Sequence, residues 1–212
     1  MNQKIHTSSE LASIEVDNVS RSAFLMRGVL AAGAAYGALA TGPILRRAFA
    51  QGGGGDIDIL NFALTLEYLE AAFYDAAGKE VSGLSGEAAD YVKTFGAEEQ
   101  EHVDALSATI SDLGGKPVKA PGVDFGDAFA DVDTFLQTAI TFEDLGVSAY
   151  NGAAPMIQSK DLLATAGGIV QVEARHAAAI RMLRGELPAE GAFDKPLTEE
   201  EVLKAVQPFV KS

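Results

Sequence analysis

Two tetrapeptides constrain this chain more than anything else in it: Glu99-Gln100-Glu101-His102 and Glu173-Ala174-Arg175-His176. Each sets a Glu three residues ahead of a His. On an α-helix, positions i and i+3 share a face, so carboxylate and imidazole project together. The sequence holds only 3 His, and two of them stand in this arrangement. The third, His6, falls in an N-terminal leader and is set aside as a ligand. Dinuclear carboxylate centres in four-helix bundles take a Glu-x-x-His motif from each of two helices and a single Glu from each of the others. The pattern therefore asks for four helices and two more glutamates.

Four helices are legible. Apolar residues recur at helical spacing from Asp56 to about Gly78, with Asp56 or Asp58 as the cap. A second helix opens near Ser85 and runs to Leu113, where Gly114-Gly115 ends it. A third is expected from Asp127 through Tyr150 to a break near Pro155, and a fourth from about Lys160 to Arg184, closed by Gly185 and Pro188. A short fifth, Thr198 to about Phe209, begins with a Thr cap and a Glu-rich first turn. Residues Gly114 to Gly126 contain Pro117 and Pro121 and cannot be helical. Extended, they reach about 40 Å, the length of a long helix. The expected fold is all-α: a four-helix bundle with one long crossover between helices 2 and 3, plus a short C-terminal helix.

An internal repeat supplies the missing carboxylates. At an offset of 76 residues Ala63 matches Ala139, Thr65 matches Thr141, Glu67 matches Glu143, Leu69 matches Leu145 and Tyr74 matches Tyr150. The Glu-x-x-His motifs are 74 residues apart, so the chain reads as two copies of a helix pair. Glu67 and Glu143 both sit among apolar neighbours, and a buried, unpaired carboxylate costs several kcal/mol. A cation cluster held by Glu67, Glu99, His102, Glu143, Glu173 and His176 meets that need. Ion pairs with Arg175 or Arg181 would meet it too, but leave the two His and the repeat unexplained. Within the first helix Glu70 is the rival of Glu67, which is favoured because it matches Glu143. Glu70 is expected at the surface, and Glu98 and Glu101 in solvent or just outside the ligands. Met156 and Met182 are expected to be packing residues, and Gly146 and Gly152 to permit close helix approach.

These residues resemble the di-iron or di-manganese carboxylate superfamily, and among it bacterial ferritin-like domain proteins, exported and sometimes labelled desiccation-related. The resemblance covers roughly residues 56–184 and implies a ferritin-like fold. It further implies terminal ligands at Glu67 and Glu143, bridging carboxylates at Glu99 and Glu173, and one metal on each of His102 and His176. The cofactors would be two divalent ions, iron or manganese, and the partners oxygen or peroxide, in a ferroxidase or catalase-like reaction. Tyr74 and Tyr150 lie seven residues beyond Glu67 and Glu143, on nearly the same face. In that superfamily such a tyrosine donates an electron to the metals; a core aromatic with a bonded hydroxyl is the plainer reading. Metal storage without turnover, in an oligomer, and a structural, stress-protective role are the alternatives.

Composition bounds the rest. A formal charge of −14 disfavours nucleic acid and anionic membrane surfaces as partners. The chain has 0 Cys, so any metal must be held by oxygen and nitrogen. Residues 1–50 read as an export signal: Ser20-Arg21-Ser22-Ala23-Phe24-Leu25 is twin-arginine-like but degenerate, with Ser22 in place of the second Arg. An apolar run from Gly28 to Leu45 and a small-residue site at Ala48-Phe49-Ala50 follow. Residues 51–55 form a Gly-rich leader, and 56–212 the bundle domain. A periplasmic or secreted protein is expected; an uncleaved segment would instead anchor it to a membrane.

Overall fold

The computed structural model describes residues 55–211. The expected export signal, and all of the Gly-rich leader but Gly55, lie outside the described residues. Four long helices follow: α1 (Asp56–Glu80), α2 (Gly86–Asp112), α3 (Val132–Ala153) and α4 (Lys160–Leu183). A short α5 (Glu199–Val206) completes the chain. There is no strand among the described residues, only an isolated antiparallel bridge between Val123 and Val210. No described helix is long and apolar enough to cross a membrane.

The helix ends follow local chemistry. α2 and α4 finish alike, with Gly114 (φ 78°) and Gly185 (φ 74°) in the left-handed region that favours glycine. Beyond each, a backbone N–H folds back: Gly115 donates to the Ile110 carbonyl and Glu186 to that of Arg181, both at 2.9 Å. Thr198 and Glu201 cap α5 reciprocally. One start differs from expectation. The chain makes a 3₁₀ turn at Gly126–Phe129, and α3 begins only where the Asp131 carboxylate accepts the Thr134 N–H at 2.8 Å. α1 starts where expected, with the Asp58 carboxylate accepting the Gly55 N–H at 3.3 Å, while the Asp56 carboxylate accepts the N–H groups of Gln158 and Ser159, at 2.7 and 2.9 Å, in the link before α4.

α1 packs most closely on α2, and α3 on α4, as the short links require. The crossover is anchored by buried Asn61 of α1, which accepts the Val118 N–H at 2.8 Å and donates to the Lys116 carbonyl at 3.4 Å. The core falls into two parts. One is aromatic, centred on Phe73, with Phe125 and Phe129 of the crossover and Val202 and Val206 of α5 against it. The other is aliphatic, built on Leu60, Leu64, Leu106, Ile110 and Ile169 around Tyr150. Gly152 lets the chain close over α3: a Cβ there would lie 1.8 Å from the Leu197 carbonyl oxygen. The close approach is that of the segment before α5 rather than of a long helix.

Candidate metal centre

α1 contributes Glu67, α2 Glu99 and His102, α3 Glu143, and α4 Glu173 and His176. The structure brings all six together in the middle of the bundle. The four glutamates are 0% exposed and His176 2%, while His102 keeps 12% of its side chain in solvent. Ligand atoms of Glu67, Glu99, His102 and Glu173 lie within 4.8 Å of one another, and so do those of Glu99, Glu143, Glu173 and His176. Glu99 and Glu173 belong to both groups.

Both imidazoles turn Nδ1 inward. His102 Nδ1 stands 3.1 Å from Glu67 Oε2, 3.0 Å from Glu99 Oε2 and 3.2 Å from Glu173 Oε1. His176 Nδ1 stands 2.9 Å from Glu99 Oε1 and 3.3 Å from Glu143 Oε2. Glu99 thus divides its two oxygens between the two imidazoles. The outer nitrogen of His176, Nε2, meets Glu98 Oε2 at 2.7 Å, and Phe95 stacks on the ring. Glu98 is therefore a partner of His176 at the rim, while Glu101 is exposed. The tyrosines cross the repeat: Tyr74 of α1 donates to Glu143 of α3, and Tyr150 of α3 donates to Glu67 of α1.

Burial and crowding set the protonation states. Burial pushes Glu67 up to about 7 despite His102 beside it. Burial, then the neighbouring carboxylates, raises Glu70 and Glu173 well above the ordinary range. Burial opposes charge on the imidazoles, but adjacent carboxylates outweigh it and lift His102 to about 12 and His176 to about 11. Glu99 falls to about 2: burial works against it, and the two His overcome that.

The site also contains an uncompensated polar set. Glu99 Oε1, Glu143 Oε2, both oxygens of Glu173 and His176 Nδ1 are buried without a hydrogen bond. Glu173 Oε2 lacks even the ion-pair contacts that the others make, and such an atom costs about 1–3 kcal/mol. All belong to the groups that share Glu99 and Glu173, so a cation placed among them would satisfy them together. The donors are oxygen and nitrogen, which suits iron and manganese.

Several expectations are corrected. Glu70 is 3% exposed rather than a surface residue, and it flanks the site. At the repeat offset its counterpart is Gly146. A Cβ on Gly146 would lie 3.1 Å from Glu70 Oε1 and 3.2 Å from Glu173 Oε2. The glycine makes room for two carboxylates, not for a neighbouring helix. The repeat itself held this signal, since Glu70 sits one turn beyond Glu67 and faces a gap in the other copy. Arg181 pairs with Asp144 and Arg175 is exposed, so neither is partner to the buried glutamates. Met156 and Met182 are 54% and 65% exposed and do not pack the core.

The fold and the site define a helical bundle enclosing a buried carboxylate–imidazole cluster able to bind metal. The chain belongs to the ferritin-like domain family, whose model matches residues 55–186. No curated protein matches it.

Proposed function

We propose that the six residues hold two divalent ions, iron or manganese, and that the centre reacts with dioxygen or peroxide. The observation that carries this reading is the division of the Glu99 oxygens between His102 Nδ1 and His176 Nδ1. A carboxylate so placed would serve a cation on each side. Glu173, common to both groups, is the second bridge. Glu67 with His102, and Glu143 with His176, complete the two halves. Once bound, two such ions would supply two electrons on passing from the divalent to the trivalent state, enough with two protons to reduce dioxygen to hydrogen peroxide, or peroxide to two waters.

The remaining residues orient and insulate. Tyr74 and Tyr150 fix the terminal carboxylates through their hydroxyl protons and keep one oxygen of each away from the centre. The Glu98 carboxylate accepts a hydrogen bond from His176 Nε2–H, which leaves Nδ1 free as a ligand. Phe95 and the burial of the glutamates exclude water, which strengthens every charge interaction inside. Export through residues 1–50 belongs to the same proposal and puts this chemistry outside the cytoplasm.

Metal analysis after anaerobic reconstitution tests the reading, followed by mixing with dioxygen or peroxide. Two ions per chain and their oxidation by one of the two oxidants are expected. Two ions that neither oxidant touches would point to storage or a structural role. A chain that binds no metal would overturn the proposal.

A further inference from the structure

The two copies of the repeat are not packed alike beside their tyrosines. Phe73 precedes Tyr74; at the same offset Ala149 precedes Tyr150. Phe73 is fully buried among Phe125, Phe129, Phe135 and Phe142. At Ala149 the corresponding space is a cavity of about 30 Å³. One water needs about 10–15 Å³, so there is room for about two or three small atoms.

Its position is set by helix geometry. Ala63 precedes Glu67 by one turn, Ile169 precedes Glu173 by one turn, and Leu106 follows His102 by one turn; all three line the cavity. It therefore lies about 5–6 Å along the bundle from the candidate ligands. Tyr150 forms part of its wall and donates to Glu67. At the other end it reaches exposed Ala105 and Thr165. The walls offer no free hydroxyl: Thr109 donates to the Ala105 carbonyl, Thr165 to that of Asp161, and Tyr150 to Glu67. The Thr109 and Thr165 oxygens can still accept, but no wall hydroxyl is left to donate, so peroxide would lose part of its hydration there. Dioxygen needs no such bond.

We propose that this cavity is a binding site for a small apolar molecule, and that it takes dioxygen inward to the Glu67–His102 half of the centre. The second clause rests on the redox reading above. It also separates the two oxidants, because this lining favours dioxygen over peroxide.

Xenon pressurisation of crystals tests the site without any turnover. Xenon density between Ala63, Leu106 and Ala149 is expected in the wild type, and none in Ala149→Phe, which copies the other half. Ala166→Leu fills the space from the α4 wall and serves if the first variant does not fold. With metal loaded, oxidation by dioxygen should slow several-fold in the filled variants while oxidation by peroxide keeps its wild-type rate. An empty cavity under xenon, or filled variants that react with dioxygen as fast as wild type, would overturn the proposal. Xenon density with no oxidation by either oxidant would remove the redox reading and the passage of dioxygen, and leave the apolar site standing.

Discussion

The Tyr74 end and the Tyr150 end of the bundle carry the same polar groups in different surroundings. Each tyrosine donates to a buried glutamate of the opposite copy, Tyr74 to Glu143 and Tyr150 to Glu67. Around Tyr74 stand Phe73, Phe95 and Phe135, and the crossover and α5 close that end. Around Tyr150 stand aliphatic side chains and a cavity. The polar layer is thus two-fold where the apolar layers are not. A carboxylate that must meet a fixed centre tolerates little displacement, whereas a core accepts any set of apolar side chains that fills its volume.

The largest effect should separate shared from unshared ligands. Glu99→Ala or Glu173→Ala should abolish binding of both ions, because each serves both halves. His102→Ala or His176→Ala should leave about one ion per chain. Equal losses for all four variants, by metal analysis, would break the distinction between bridge and terminus.

Stability should divide the two ends next. Phe73→Ala removes a fully buried ring from five aromatic neighbours and should cost about 3–5 kcal/mol in denaturant unfolding. Ala149→Val, in the copy that already has space, should change stability by less than about 1 kcal/mol. Similar costs would mean that the ends are equally well packed.

Proton release should be alike in both halves. In the metal-free protein His102 and His176 hold their protons up to about 12 and 11, so each must lose one to become a ligand. Burial also raises the Glu173 carboxyl well above the ordinary range, so binding releases at least two protons and the apparent affinity rises at least about a hundredfold per pH unit between pH 7 and 9. Calorimetry in buffers of different ionisation enthalpy would count them; release of no protons would show that the imidazoles do not ligate.

The smallest of these effects concerns the asymmetric carboxylate. Gly146→Ala would press a methyl group on Glu70 and Glu173 and should weaken metal binding by about 10–100-fold with the helices intact by circular dichroism. Unchanged affinity would show that Glu70 has room to withdraw.

Much of this was legible in the sequence because function repeats itself there. The paired Glu-x-x-His motifs and the offset linking Glu67 to Glu143 select the six residues that the bundle gathers, and glycine and proline mark most helix ends. α3 starts later than the pattern suggests because Asp127 and Asp131 are both plausible caps, and only the 3₁₀ turn between them decides. Glu70 was missed because its burial depends on a glycine 76 residues away on another helix. Nor could periodicity reveal the cavity, which arises from one small side chain where four helices meet.

Anomalous scattering at the iron and manganese edges, on crystals of the metal-loaded protein, tests the central claim most directly. Two peaks about 3.5–4 Å apart are predicted, one beside His102 Nδ1 and one beside His176 Nδ1, with Glu99 between them. A single peak, or metal bound away from these six side chains, would contradict it.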